Sequence, residues 1–153
     1  MLICFATFSS AQQSFEDNWK KVEKLERDGL TKSASELVDT IYENAIKTNN
    51  EQQQIKALLF KSKYMLILEE EAQLNIGNIF KSKIEETNSL VTKHLLENML
   101  ATMYWQYFQQ NRYTFYDRTK TSEKQSDDFR TWDLETLFYE IHKYYQRSLQ
   151  NGL

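Results

Sequence analysis

Few side chains in this sequence are of a type and spacing that performs chemistry. His94 and His142 are its two histidines, and neither stands in a zinc-binding spacing such as H-E-x-x-H. Carboxylates run together at Glu69-Glu70-Glu71 and at Glu85-Glu86. Paired carboxylates do acid–base work when they are buried and brought together. Consecutive residues of a helix point in different directions, so these runs are expected to be solvated helix ends. No glycine-rich phosphate loop, G-x-S-x-G elbow or cysteine nucleophile with a histidine partner is present. The expectation is a protein that is not an enzyme, with no catalytic residue, no cofactor and no metal site.

The other notable cluster is Asn111-Arg112-Tyr113-Thr114-Phe115-Tyr116-Asp117-Arg118-Thr119, joined by Arg130, Trp132 and Asp133. Tyrosine, tryptophan and arginine are the residue types enriched at binding hot spots. Two readings stand. Arg112, Tyr113, Tyr116, Arg118, Arg130 and Trp132 form a surface that docks another domain. Alternatively, the aromatics complete the core and the arginines pair with Asp117, Asp127 or Asp128. Aromatics with arginine also stack on nucleic-acid bases. A net charge of −3 with acidic and basic residues interspersed opposes that use.

The elements that must position these residues are helices. The chain has no proline, three glycines and abundant Leu, Glu, Lys and Gln, the straight-chain helix formers. Leu96, Met99, Leu100, Met103 and Tyr107 share one helical face. Trp105, Phe108, Tyr113, Phe115 and Tyr116 lie off it, so this long helix is expected to be packed by several neighbours. Around it the periodicity predicts helices over 15–28, from 33 onward, over 51–73 and over 74–86, and one starting at Asp133. Their cap signals are Ser14 with Asp17, Ser33 with Glu36, Ser89 and Asp133, with Gly29 as a stop. A polar loop is expected over 117–128.

The fold class is therefore all-α: antiparallel helical hairpins forming a tetratricopeptide-like solenoid or an irregular helical bundle. The domain is expected to span 12–153, truncated at its C-terminal end. Residues 1–11 are expected to be a signal-peptide remnant, with Ser9 and Ala11 at the small positions of the cleavage site. They lack the usual positive n-region, and an N-terminal tail packed on the domain is the alternative. No apolar run reaches the roughly 20 residues of a membrane span.

Three segments carry a resemblance. They are Trp19-Lys-Lys-Val-Glu-Lys-Leu-Glu-Arg-Asp-Gly-Leu-Thr-Lys-Ser-Ala34, Ile55-Lys-Ala-Leu-Leu-Phe-Lys-Ser-Lys-Tyr64 and Leu100-Ala-Thr-Met-Tyr-Trp-Gln-Tyr-Phe-Gln-Gln-Asn-Arg-Tyr113. Together with Arg118-Thr-Lys-Thr121 and Thr131-Trp-Asp-Leu134, they resemble the helical N-terminal region of Bacteroidetes-type bacterial alpha-2-macroglobulin family proteins. The resemblance implies a periplasmic or envelope-associated endopeptidase inhibitor whose bait region, β-sandwich domains and thioester lie elsewhere. None of those parts occurs in this sequence, so no functional residue carries over. The implied partner is the downstream β-sandwich region of the same parent chain. A free-standing exported helical scaffold that binds a peptide or an envelope protein is the alternative.

Overall fold

The computed structural model describes the backbone of residues 4–120 and 126–150, and side chains from residue 13 onward within those limits. The described residues are all helical apart from short connections. The elements are α1 (Cys4–Arg27), α2 (Thr31–Lys47), α3 (Glu51–Leu68), α4 (Ala72–Glu86), α5 (Leu90–Tyr116), a 3-10 turn (Phe129–Thr131) and α6 (Leu134–Ser148). None of these helices is long and apolar enough to cross a membrane. The leader expected over 1–11 lies outside the described side chains. The chain divides into two compact units, Met1–Ala72 and Gln73–Leu153.

In the first unit, α1, α2 and α3 follow one another through two tight turns of the same design. Gly29 takes φ 73°, its N–H bonds the Glu26 carbonyl at 3.1 Å, and the Leu30 N–H reaches back to Leu25 at 2.9 Å. This pair of bonds is a Schellman cap, which satisfies the last carbonyls of α1. Asn49 (φ 50°) repeats it at the end of α2: its N–H meets Ile46 at 3.0 Å and the Asn50 N–H meets Ala45 at 2.8 Å. The first turn overrides the cap expected at Ser33. Leu30 already accepts the first helical bond, from Ala34, so α2 starts at Thr31 without a side-chain cap and Ser33 lies inside it. The Ser14–Asp17 start is overridden as well, because α1 runs continuously through it.

Phe15, Trp19 and Val22 of α1 meet Ala34, Val38, Ile41 and Ala45 of α2 and Ala57 and Tyr64 of α3 in a buried core. The fully buried alanines let helix backbones approach closely, while each large aliphatic or Phe side chain contributes roughly 1.5–3 kcal/mol. Polar contacts fix the register. Trp19 Nε1 donates to Gln53 at 2.7 Å, and Glu26 accepts from both Lys63 Nζ and Tyr64 OH at 2.6 Å. α3 ends at Leu68 rather than at 73. Glu69 is extended (φ −124°, ψ 137°), where three successive carboxylates would oppose the negative end of the helix dipole.

In the second unit α5 and α6 pack along each other, with α4 and the 3-10 turn against them. Ser89 Oγ accepts from Thr92 N–H at 3.3 Å and Asp133 Oδ1 from Thr136 N–H at 2.8 Å, so both expected caps are present. α5 buries Leu96, Glu97, Leu100, Ala101, Tyr104, Phe108 and Phe115. That face is turned about one position from the expected stripe, and Met99, Met103 and Tyr107 sit half-buried on its flank. Asn111 breaks the helical geometry (φ −117°, ψ 17°) and turns its amide back onto the Tyr107 carbonyl at 2.9 Å. On α6 the buried side is Leu137, Glu140, Ile141 and Tyr144. Phe138 and Leu149 are exposed. Glu97, 1% exposed, meets Arg147 Nε at 2.8 Å and ties the two helices together by charge.

Candidate docking surface on the second unit

In the last turns of α5, Phe115 follows Phe108 by two helical turns and is buried on the same side, while Arg112, Tyr113 and Tyr116 face solvent. Phe115 is 1% exposed; Tyr113 and Tyr116 are 69% and 62% exposed. Arg112 lies over the Tyr113 ring at 4.9 Å and donates to its hydroxyl at 3.0 Å. The aromatic surface continues from Tyr116 to Phe108 (6.5 Å between ring centres), from Phe108 to Phe138 (4.9 Å) and from Phe138 to Trp105 (5.9 Å). Beside Phe138 is a groove of about 330 Å³, lined also by Arg118, Lys120, Asp133, Leu134 and Glu135.

The structure separates the six residues expected to form a docking surface. Trp132 is in the core, 2% exposed, with its ring 5.6 Å from Tyr104 and its Nε1 donating to the Ser126 carbonyl at 2.6 Å. Arg130 is half-buried and grips Asp128 through Nε and Nη2. The Arg130 guanidinium holds the Asp128 carboxyl below its usual range. Both residues stabilise the 3-10 turn. Arg118 spans the two groups: its guanidinium covers Phe115 at 4.3 Å and donates to the Trp132 carbonyl at 2.7 Å. Arg112, Tyr113 and Tyr116 remain at the surface.

Phe138, Trp105, Lys120 and Glu135 were not among the expected site residues. Phe138 is exposed on α6, and its ring packs against Phe108 and Trp105 of α5. Lys120 and Glu135 form an ion pair across the groove, which raises the affinity of the Lys120 amine for its proton. The groove's polar edge is thus occupied by bonds within the chain: Lys120 to Glu135, Arg118 to Trp132, and Asp133 to Thr136. What it offers a ligand is apolar wall. His94 is half-buried on α5 and His142 exposed on α6. Among the described residues, no three His, Cys, Asp or Glu side chains are grouped to hold a metal ion. In comparisons with known proteins, the chain matches no family model, no curated protein and no solved structure.

Proposed function

We propose that this chain is a non-catalytic helical module that docks another protein domain through the aromatic face of α5 and α6. The observation that carries the reading is the exposure of Tyr116 and Phe138, both packed against buried Phe108, with Tyr113 exposed one turn before Tyr116. Large rigid rings anchored in a core lose little freedom on binding, the property that makes such residues hot spots. On the resemblance given above, the partner is a β-sandwich domain of a periplasmic or envelope alpha-2-macroglobulin-type endopeptidase inhibitor. The second reading is a free-standing exported tetratricopeptide-like scaffold. The groove beside Phe138 favours it, since that space suits an apolar side chain of a peptide ligand.

Photo-cross-linking in native cells tests the proposal. Benzoylphenylalanine in place of Tyr116 is expected to yield a covalent adduct with a protein, whereas the same group in place of exposed Lys32 yields none. An immunoblot of the same cells, fractionated, separates the two readings. Reactivity in a polypeptide many times heavier than 18.3 kDa in the envelope or periplasm supports the inhibitor. A band near the size of this chain in the periplasm supports the scaffold. Equal cross-linking at both positions would overturn docking at this face.

A further inference from the structure

The groove beside Phe138 is closed along its polar edge by bonds within the chain, and one of them leaves capacity unspent. Arg118, Arg130 and Arg147 of the second unit are all half-buried. Arg130 holds the Asp128 carboxylate at 2.8 Å, and Arg147 holds that of Glu97 at 2.8 Å. Arg118 is engaged differently. Its guanidinium lies over the Phe115 ring at 4.3 Å and gives Nη1 to the Trp132 carbonyl at 2.7 Å. A guanidinium stays charged at physiological pH and carries five N–H groups. The ring fixes its plane and the carbonyl takes one donor. The side-on fork of Nε and Nη2 is thus set in place, and no carboxylate among the described residues receives it. A half-buried cation without a counter-charge is costly, and a ligand carboxylate would remove that cost.

The other charges on the groove are engaged elsewhere. Lys120 and Glu135 pair with each other, and Asp133, 4% exposed, accepts from the Thr136 N–H at 2.8 Å. Leu134 and Phe138 complete the lining. An arginine with an open fork therefore shares one space with two apolar side chains. That space, about 330 Å³, is at the small end of ligand sites and admits one or two residues rather than a helix or a strand. Within so short a reach the matching carboxylate and apolar group belong on one residue, and the last residue of a chain carries both. We propose that the groove captures the free C-terminal end of a partner protein. The terminal carboxylate meets Arg118, and a large apolar last side chain lies on Phe138 and Leu134. This rests on the reading of the chain as a protein-docking module and names a ligand for its groove.

Titration of the full chain with small probes, followed by solution NMR, tests the proposal. The probes are N-acetyl-alanyl-phenylalanine as the free acid, the same dipeptide as its amide, and octanoate. The acid is expected to shift the backbone signals of Leu134 and Phe138 and to bind at least about tenfold tighter than the amide. Arg118→Gln is expected to bring the acid down to the level of the amide and to leave the amide unchanged. Phe138→Ser is expected to weaken both and to keep their ratio. Arg118→Lys retains the charge without the fork, so an intermediate ratio is expected, and it serves if the glutamine variant melts early. Equal affinity for acid and amide overturns the proposal. So does a ratio unchanged in both Arg118 variants, which would place the carboxylate on Lys120. Octanoate binding tighter than the dipeptide acid would assign the groove to free fatty acids and likewise overturn it. Failure of the Tyr116 cross-link beside an intact acid preference would sink docking at the aromatic face and leave the carboxylate site standing.

Discussion

Glu26 and Tyr104 show how one oxygen atom can hold a helix in place or cost stability. Glu26 joins α1 to α3 by accepting from Lys63 and Tyr64, and these bonds hold its carboxyl below the ordinary value of 4.5. A carboxyl depressed in the folded state adds stability above its unfolded pKa, and this stability is lost as pH falls through the folded value. Glu26→Gln is therefore expected to lose about 1–2 kcal/mol near neutral pH, the worth of charge-assisted bonds. The gap between wild type and variant should close in urea titrations carried below the depressed carboxyl value. A gap that persists there would mean that Glu26 acts by packing. Tyr104 is the opposite case. Its hydroxyl is buried without a hydrogen-bond partner among the described residues, and burial first, then Tyr144 and Glu140, raise its hold on the proton. Tyr104→Phe keeps the ring contacts with Phe129 and Trp132 and removes only the unmet group. It is expected to be neutral or to stabilise by about 1 kcal/mol. A loss of similar size in denaturant midpoint would instead place a bridging water on that hydroxyl.

At the scale of elements, what the sequence made legible was what local chemistry decides. Ser89 and Asp133 cap α5 and α6 with bonds spanning three residues, and such signals survive any tertiary arrangement. Ser33 carried the same signal and lost. The backbone bonds around Gly29 set the start of α2 before a side chain could. The bend at Asn111 was illegible, whereas Phe115 inside and Tyr116 outside follow from helical spacing after Phe108. Trp132 is in the core because the 3-10 turn seats its ring against Tyr104 and Phe129, a placement that composition alone could not give. Gly77 of α4 is a further instance. In sequence it is a weak point, costing about 1 kcal/mol against alanine. In the fold, a methyl added there would stand 3.1 Å from Met103 Cε and 3.6 Å from the Phe129 ring. Met103 is flexible and can yield a few tenths of an ångström. Gly77→Ala is expected to raise stability by up to about 0.5 kcal/mol, whereas Gly77→Leu should cost about 2 kcal/mol by overpacking against Phe129. Thermal melts of the two variants would give opposite signs; a shared loss would make Gly77 a close-packing requirement.

At the scale of the whole molecule, each of the two units holds a core of its own. The first closes around Phe15, Trp19, Val22, Ile41 and Tyr64, and the second around Leu100, Tyr104, Phe129, Trp132 and Leu137. Their fixings are separate too: the Glu26 bonds in the first, and the Glu97–Arg147 pair between α5 and α6 in the second. Chains of roughly 60 residues upward often fold without help when their apolar faces close on themselves. Two fragments cut in the connection Glu69–Glu71 are therefore expected to unfold cooperatively on their own. Circular dichroism with tryptophan fluorescence would follow both, since Trp19 reports on the first unit and Trp105 and Trp132 on the second. Removing the Glu97–Arg147 pair with Arg147→Met leaves a carboxylate buried without its cation, which should cost the second fragment about 3 kcal/mol or more. The first fragment contains neither residue and should be untouched. The full chain should then melt in two steps, the later one at the position of the first fragment alone. A single step displaced as a whole would show the two cores to be one folding unit.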